Sequence, residues 1–171
     1  MDRVVVAVAL GSNLGDRAAH LEFARRCLGT LLDRLRVSSV LETEPFGVPG
    51  TQSPFLNQAA VGDTDRPARE ILEALLAIEQ ARGRERPFPL APRTLDLDLI
   101  LFGDARIDQR GALDRPDLVV PHPRFREREF VLAPLAEIAA ALVDPVTGAT
   151  VAELLRTARS RSSPARGGRL P

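Results

Sequence analysis

Lysine is absent from this 171-residue chain, and all 23 basic residues are arginine. Schiff-base chemistry on lysine and a P-loop lysine are therefore excluded. The single cysteine, Cys27, rules out an internal disulfide and a cysteine-based zinc centre. Cys27 falls within a helical pattern, where a small buried hydrophobe is its expected role. Tryptophan and tyrosine are missing as well, and seven Phe supply the whole 4% aromatic content. Phe55, Phe125 and Phe130 are too few and too scattered for a nucleic-acid stacking platform. Acidic and basic residues cancel at 23 each, so no net field draws the chain to nucleic acid or to anionic membrane. No apolar run approaches the ~20 residues of a membrane span, and no signal-peptide pattern opens the chain. A cytoplasmic protein is expected.

What is present is ordinary for a globular protein: 44% hydrophobic and 27% charged residues. The length suits one domain, expected over residues 1–157. From Arg156 onward the chain has five Arg and no acid, so residues 158–171 read as a disordered basic tail. Arg3–Leu10 is a continuously apolar strand buried on both faces. Asp16 is a helix N-cap candidate, followed by Leu21, Ala24, Leu28, Leu31 and Leu32 at helical spacing. Strand character resumes over Arg36–Thr43 and again from Phe55 to Val61, where Phe55, Asn57 and Ala59 share a face. Asp65-Arg66-Pro67 reads as a helix start with Asp65 as N-cap. Ile71, Leu72, Leu75, Leu76 and Ile78 form that helix's stripe, Glu79 lies on its packed side, and Gly83 stops it. A hairpin strand begins near Ile107, and Phe130–Ala141 reads as the final helix. Two long Pro-rich loops, 44–54 and 84–92, are expected to serve function. The order predicts an α+β, ferredoxin-like βαββαβ fold, with helices on one face of a mainly antiparallel sheet.

The run Arg93-Thr94-Leu95-Asp96-Leu97-Asp98-Leu99 carries the chemistry. Its alternation marks a strand with Leu95, Leu97 and Leu99 on one face and Thr94, Asp96 and Asp98 on the other. Aspartate is disfavoured in strands, and two neighbouring carboxylates raise each other's pKa unless a cation neutralises them. Hard oxygen pairs suit Mg²⁺ together with substrate phosphates. A strand with one solvated face is the plainer alternative. Arg82, Arg84, Arg86 and Arg93 run into this strand, and the bidentate guanidinium fork fits phosphate. A solvated charged loop is the alternative there. His122 sits between two prolines, and Gly11-Ser12-Asn13 is either a tight turn or a backbone cradle.

Taken in order, Ala9-Leu10-Gly11-Ser12-Asn13-Leu14, Thr43-x-Pro45-x-Gly47, Phe55-Leu56-Asn57, Ile78-Glu79 with Gly83-Arg84, Pro92-Arg93-Thr94-Leu95-Asp96-Leu97-Asp98, and Val120-Pro121-His122 with Arg128-x-Phe130 resemble the 6-hydroxymethyl-7,8-dihydropterin pyrophosphokinases of folate biosynthesis. The resemblance spans roughly residues 4 to 155. It implies transfer of intact pyrophosphate from ATP to the pterin hydroxymethyl oxygen, with AMP released and two Mg²⁺ held by Asp96 and Asp98. It further implies that Arg84, Arg86, Arg93 and Arg128 grip phosphates and that His122 contacts the triphosphate. Leu72 and Leu99 would flank the adenine, with Glu79 near the ribose. Phe55 and Phe130 would sandwich the pterin. Asn57 and the segment Thr43, Glu44, Pro45 and Phe46 would read its edge, with Gly11 allowing close approach and Asp96 adjoining. A monomer with no nucleic-acid or membrane partner is implied. Asp117, Val119 and Pro123 depart from residues that some members use on the nucleotide. The rivals are a nucleotidyl- or glycosyltransferase using D-x-D, and a ferredoxin-like RNA-binding module.

Overall fold

The computed structural model of the chain describes residues 3–45, 50–84, 89, 91–111 and 115–162. Its order is β1 (Val4–Ser12), α1 (Arg17–Leu31), β2 (Asp33–Val37), β3 (Leu41–Thr43), β4 (Phe55–Thr64), α2 (Ala68–Ala81) and β5 (Asp96–Phe102). β1 lies between β4 and β5 and is antiparallel to both, while β2 and β3 pair successively along the far edge of β4. With β2 and β3 counted as one interrupted strand, this is the expected ferredoxin-like arrangement.

The interruption corrects the continuous strand read over Arg36–Thr43. Ser38 causes it: its Oγ accepts the Ala59 N–H at 2.9 Å, and its carbonyl accepts from Gln58 Nε2 at 2.7 Å. A side chain thus takes a position in the ladder, a known competition with regular pairing. Asp16 caps α1 as expected, accepting the Ala19 N–H at 3.0 Å. The expected Asp65 cap of α2 does not form. Pro67 holds the N-cap position, and Thr64 Oγ1 takes the Arg66 N–H at 3.1 Å.

The sheet is covered on both faces, which corrects the single helical layer. Val6, Val8, Leu10, Leu97 and Leu99 pack with Leu21, Leu28, Ile71 and Leu75 of α1 and α2. The opposite face buries Ala7, Ala9, Ala59, Val61, Ile100 and Leu101 under Phe125, α3 (Glu129–Ala139) and α4 (Val151–Ser162). α4 also corrects the tail. Residues 158–162 are helical because Val151, Leu154, Leu155 and Ala158, at i, i+3, i+4 and i+7, supply a stripe to this second core. Residues 163–171 lie outside the described residues.

β5 carries an irregularity beside the site. Val8 pairs with Leu99 but Ala7 with Leu101, so Ile100 is an extra residue and side-chain parity inverts after Leu99. Bulges of this kind re-aim side chains at functional edges. The hairpin begun at Ile107 is β6 (Ile107–Gln109) with β7 (Leu118–Val120). Among the described residues no helix is long and apolar enough to cross a membrane.

Candidate active site

Strand register assembles the site. Gly11 of β1 pairs with Asn57 of β4 on one side and Asp96 of β5 on the other. One step along, Ala9 pairs with Ala59 and Asp98. Asn57, Gly11, Asp96 and Asp98 therefore share the face covered by α3 and α4, with strands about 4.8 Å apart. Nothing but hydrogen projects from Gly11. A Cβ there would stand 3.8 Å from Asn57 Oδ1 and 4.0 Å from Asp96 Cβ, so the glycine leaves a slot between amide and carboxylate.

The alternation places both aspartates on one face, as the sequence requires. Their neutralisation differs. Asp96 meets Arg84 Nη2 at 2.5 Å through Oδ1 and Arg93 Nη1 at 2.5 Å through Oδ2. Guanidinium groups, and not only a divalent cation, thus balance this carboxylate. Asp98 is held more loosely, with Arg128 Nη1 at 3.4 Å and His122 Nε2 at 3.8 Å. Burial, and then the charge of Asp96, push the Asp98 carboxyl above the usual aspartate range. Burial likewise lowers the His122 pKa. His122 Nδ1 accepts the Arg124 N–H at 3.2 Å, which assigns the proton to Nε2 and aims an N–H towards Asp98.

Glu79, on the buried row of α2, accepts the Leu97 N–H at 2.6 Å and forms an ion pair with Arg84. Glu79 and Arg84 are nearly fully enclosed, their side chains 3% and 5% exposed. Burial raises the Glu79 pKa against these partners. Its carboxylate ties α2 to β5 beside Asp96, a role the sequence pattern does not show. Leu72 and Leu99 lie in the core between α2 and β5, on the helical side of the β5 edge.

Gly11 and Ser12 prove to be the last residues of β1 rather than a tight turn, and Ser12 with Asn13 forms a clasp. Ser12 Oγ donates to the Thr94 carbonyl at 2.6 Å. Asn13 Oδ1 accepts the Arg93 N–H at 2.8 Å, and Asn13 N donates to the Arg93 carbonyl at 3.0 Å. Asn13 Nδ2 reaches Gln52 Oε1 at 3.0 Å, so one amide joins the 44–54 loop to the residue that follows the 84–92 loop. Two buried polar residues directly after an apolar strand were the available signal.

On the β4 side, Asn57 Nδ2 donates to Thr43 Oγ1 at 2.8 Å and to the Leu41 carbonyl at 3.3 Å. Those bonds turn its Oδ1 towards Gly11. Phe55 opens β4 opposite Thr43, with Glu44 and Pro45 following on the same loop. Phe130, at the start of α3, is 40% exposed, and the Arg128 guanidinium lies 5.8 Å from its ring centroid. Phe46 and Arg86 lie outside the described residues. Arg126 and Asp144, which the sequence reading passed over, make the strongest ion pair near the His122 loop, at 2.6 and 2.8 Å.

Among the described residues no group of three or more His, Cys, Asp and Glu gathers for a metal. Asp96 and Asp98 nevertheless fit a hard divalent cation that completes its shell with phosphate and water. Two carboxylates on one face, one of them resisting ionisation, gain from such an ion. The arrangement combines a cluster of arginines, a carboxylate pair and a polar slot at Gly11 between Asn57 and Asp96.

Known proteins agree with that chemistry. The family model described as 7,8-dihydro-6-hydroxymethylpterin-pyrophosphokinase matches residues 7–140. The chain is 43% identical over 136 residues to the 2-amino-4-hydroxy-6-hydroxymethyldihydropteridine pyrophosphokinase of Bacillus subtilis, covering 78% of this chain and 77% of that protein. It is 41% identical over 152 residues to the protein of the same name from Methylorubrum extorquens, covering 86% and 89%. The crystal structure of wild-type Plasmodium falciparum HPPK-DHPS superposes with a TM-score of 0.76 at 15% identity, over 94% of this chain and 45% of that one. At that identity the likeness concerns the fold.

Proposed function

The chain belongs to the 7,8-dihydro-6-hydroxymethylpterin-pyrophosphokinase family, and from that premise we propose how its own residues carry out pyrophosphoryl transfer in folate biosynthesis. The hydroxymethyl oxygen of 6-hydroxymethyl-7,8-dihydropterin attacks the β-phosphorus of ATP. The bond from that phosphorus to the α,β-bridging oxygen breaks, AMP leaves, and the hydroxyl proton is lost to solvent. The D-x-D nucleotidyl- or glycosyltransferase and the RNA-binding module lose their support, since neither shares the family match.

In this reading the pterin lies in the slot over Gly11. Asn57 Oδ1 and the backbone of residues 43–46 meet its polar edge, and Phe55 and Phe130 take its two faces, as a flat heteroaromatic requires. The observation that supports the assignment is the row Asn57–Gly11–Asp96, which sets the amide we assign to the pterin edge and the carboxylate we assign to the phosphates on the two strands that flank β1. Arg84, Arg93 and Arg128, with Arg86, turn their guanidinium groups to the triphosphate, and the His122 Nε2–H donates to it. Leu72 and Leu99 flank the adenine around the β5 edge. Glu79 adjoins the nucleotide while holding Arg84 and Leu97 in place.

Asp96 and Asp98 would hold two Mg²⁺, which when bound neutralise charge on the triphosphate and lower the pKa of the attacking hydroxyl. Catalysis is then positioning and electrostatics, without a strong general base. We read the enzyme as a monomer acting in the cytoplasm. The test is an assay with ATP, Mg²⁺ and the reduced pterin. AMP and a pterin diphosphate are expected in equal amounts. ADP as the product, or a nucleotide bonded to the pterin, overturns the reading.

A further inference from the structure

The segment carrying His122 and Arg128 is tied to the rest of the protein at its middle, through Arg126. Arg126 Nε donates to Asp144 Oδ2 at 2.6 Å and Nη2 to Asp144 Oδ1 at 2.8 Å. A forked contact fixes orientation as well as distance. Asp144 lies on the turn between α3 and α4 and is fully buried. It also accepts the Thr147 hydroxyl at 2.6 Å and the Val146 N–H at 3.1 Å. Its backbone closes the same turn, donating to the Ala149 carbonyl at 2.9 Å and accepting the Gly148 N–H at 2.8 Å. The carboxylate is thus rigid on its own turn before Arg126 arrives. Burial opposes its ionisation, but the bonds from Arg126, Thr147 and Val146 hold the carboxyl at about 2. It stays charged across the neutral range.

Arg126 rises from a short 3-10 turn, Phe125–Glu127, and its guanidinium lies 4.9 Å from the Phe125 ring centroid. A pair of this kind is a weak source of stability, because desolvating the carboxylate offsets most of the attraction. What such pairs do well is set a register. We propose that Asp144 is a positioning residue for the nucleotide: through Arg126 it sets where the 122–128 segment holds the His122 imidazole and the Arg128 guanidinium beside Asp98. The inference rests on the reading of His122 and Arg128 as triphosphate contacts, and it requires no contact between Asp144 and substrate.

Asp144→Asn keeps one acceptor oxygen for the Val146 N–H, puts on the other side an amide NH2 from which the Thr147 hydroxyl can accept, and removes the charge that Arg126 meets. Arg126→Met keeps the stem over Phe125 and removes the fork. KM for ATP, KM for the pterin, kcat and the thermal midpoint are measured for both and for the double variant. Each single change is expected to raise KM for ATP about tenfold, as a displaced positioning group does. The pterin KM stays unchanged, and the double variant is no worse than Arg126→Met, because the two side chains act as one unit. A folded Asp144→Asn with normal KM for ATP overturns the proposal, and so do effects that multiply in the double variant. A loss confined to the thermal midpoint overturns it too, since a purely structural pair would show only that. Should Asp144→Asn not fold, Arg126→Lys keeps charge without the fork. A raised KM for ATP supports the proposal there, and an unchanged one overturns it. A wild-type enzyme that makes no AMP from ATP and the pterin would instead remove the functional reading itself.

Discussion

Asn13 and Arg93 are joined twice, Oδ1 to backbone N–H at 2.8 Å and backbone N–H to carbonyl at 3.0 Å, although 80 residues separate them. The pair holds the entry to β5, three residues before Asp96, against the end of β1. Asn13 is 1% exposed, so truncating its side chain leaves the Arg93 N–H without that acceptor, while the backbone bond to the Arg93 carbonyl persists. Asn13→Ala is expected to cost about 1–3 kcal/mol of stability. Turnover should fall more than the lost stability explains, because Arg93 and Asp96 shift together. Denaturant unfolding and kcat at a temperature where the variant is fully folded check both. Wild-type turnover would refute the coupling.

Gly11→Ala separates packing from binding. The added Cβ meets Asn57 Oδ1 at 3.8 Å and Asp96 Cβ at 4.0 Å, ordinary contact distances. Alanine also restricts the unfolded chain, so stability should hold or rise by about 0.5–1 kcal/mol. The methyl group occupies the slot assigned to the pterin. Calorimetric titration should therefore show weakened pterin binding and unchanged binding of a non-hydrolysable ATP analogue. Equal pterin affinity would place the ring elsewhere.

Asp98 sets function against stability. Its folded pKa is raised, first by burial and then by Asp96, so the folded state binds its proton more tightly than the unfolded chain does. The stability this group contributes is present below its unfolded value of 3.8 and is lost as pH rises through the folded value. At neutral pH the ionised side chain is therefore a liability in the metal-free protein. Asp98→Asn should raise the thermal midpoint at pH 7, converge with wild type in acid, and lower turnover by about 10²–10³-fold. Asp96→Asn should lose turnover similarly, but it also takes from Arg93 its carboxylate partner and leaves Arg84 with Glu79 alone. A destabilised Asp98→Asn protein at pH 7 would contradict the sign.

Phe130 is 40% exposed at the start of α3, and little packing depends on it. Phe130→Ala should leave the thermal midpoint nearly unchanged. Loss of one ring face should raise KM for the pterin about tenfold, given the value of an aromatic contact beyond its buried area. Phe130→Leu should recover only part of that loss. Steady-state kinetics with the pterin as the varied substrate decides the matter.

Much of this protein was legible along the chain. The alternation from Leu95 to Leu99 set the face of Asp96 and Asp98, because strand period is a local property of the backbone. Periodicity likewise placed α1, α2 and the buried side of Glu79, and the absence of lysine left arginine as the basic side chain beside Asp96. The second helical layer was harder to read. The end of α4 looked like a frayed tail because its exposed residues from Arg156 on are Arg156, Thr157, Arg159, Ser160 and Arg161, while its buried stripe acquires meaning only against Phe125 and Ala59 of distant elements. Contacts made across the fold decided the rest. Arg84 reaches Asp96, Asn13 clasps Arg93, and Arg126 meets Asp144, each set by strand register or helix docking and by no spacing along the chain. Sequence determines which face a side chain leaves from; only the packed sheet and its two helical layers determine what that side chain finds there, since partners far apart in the chain meet only after both layers have closed.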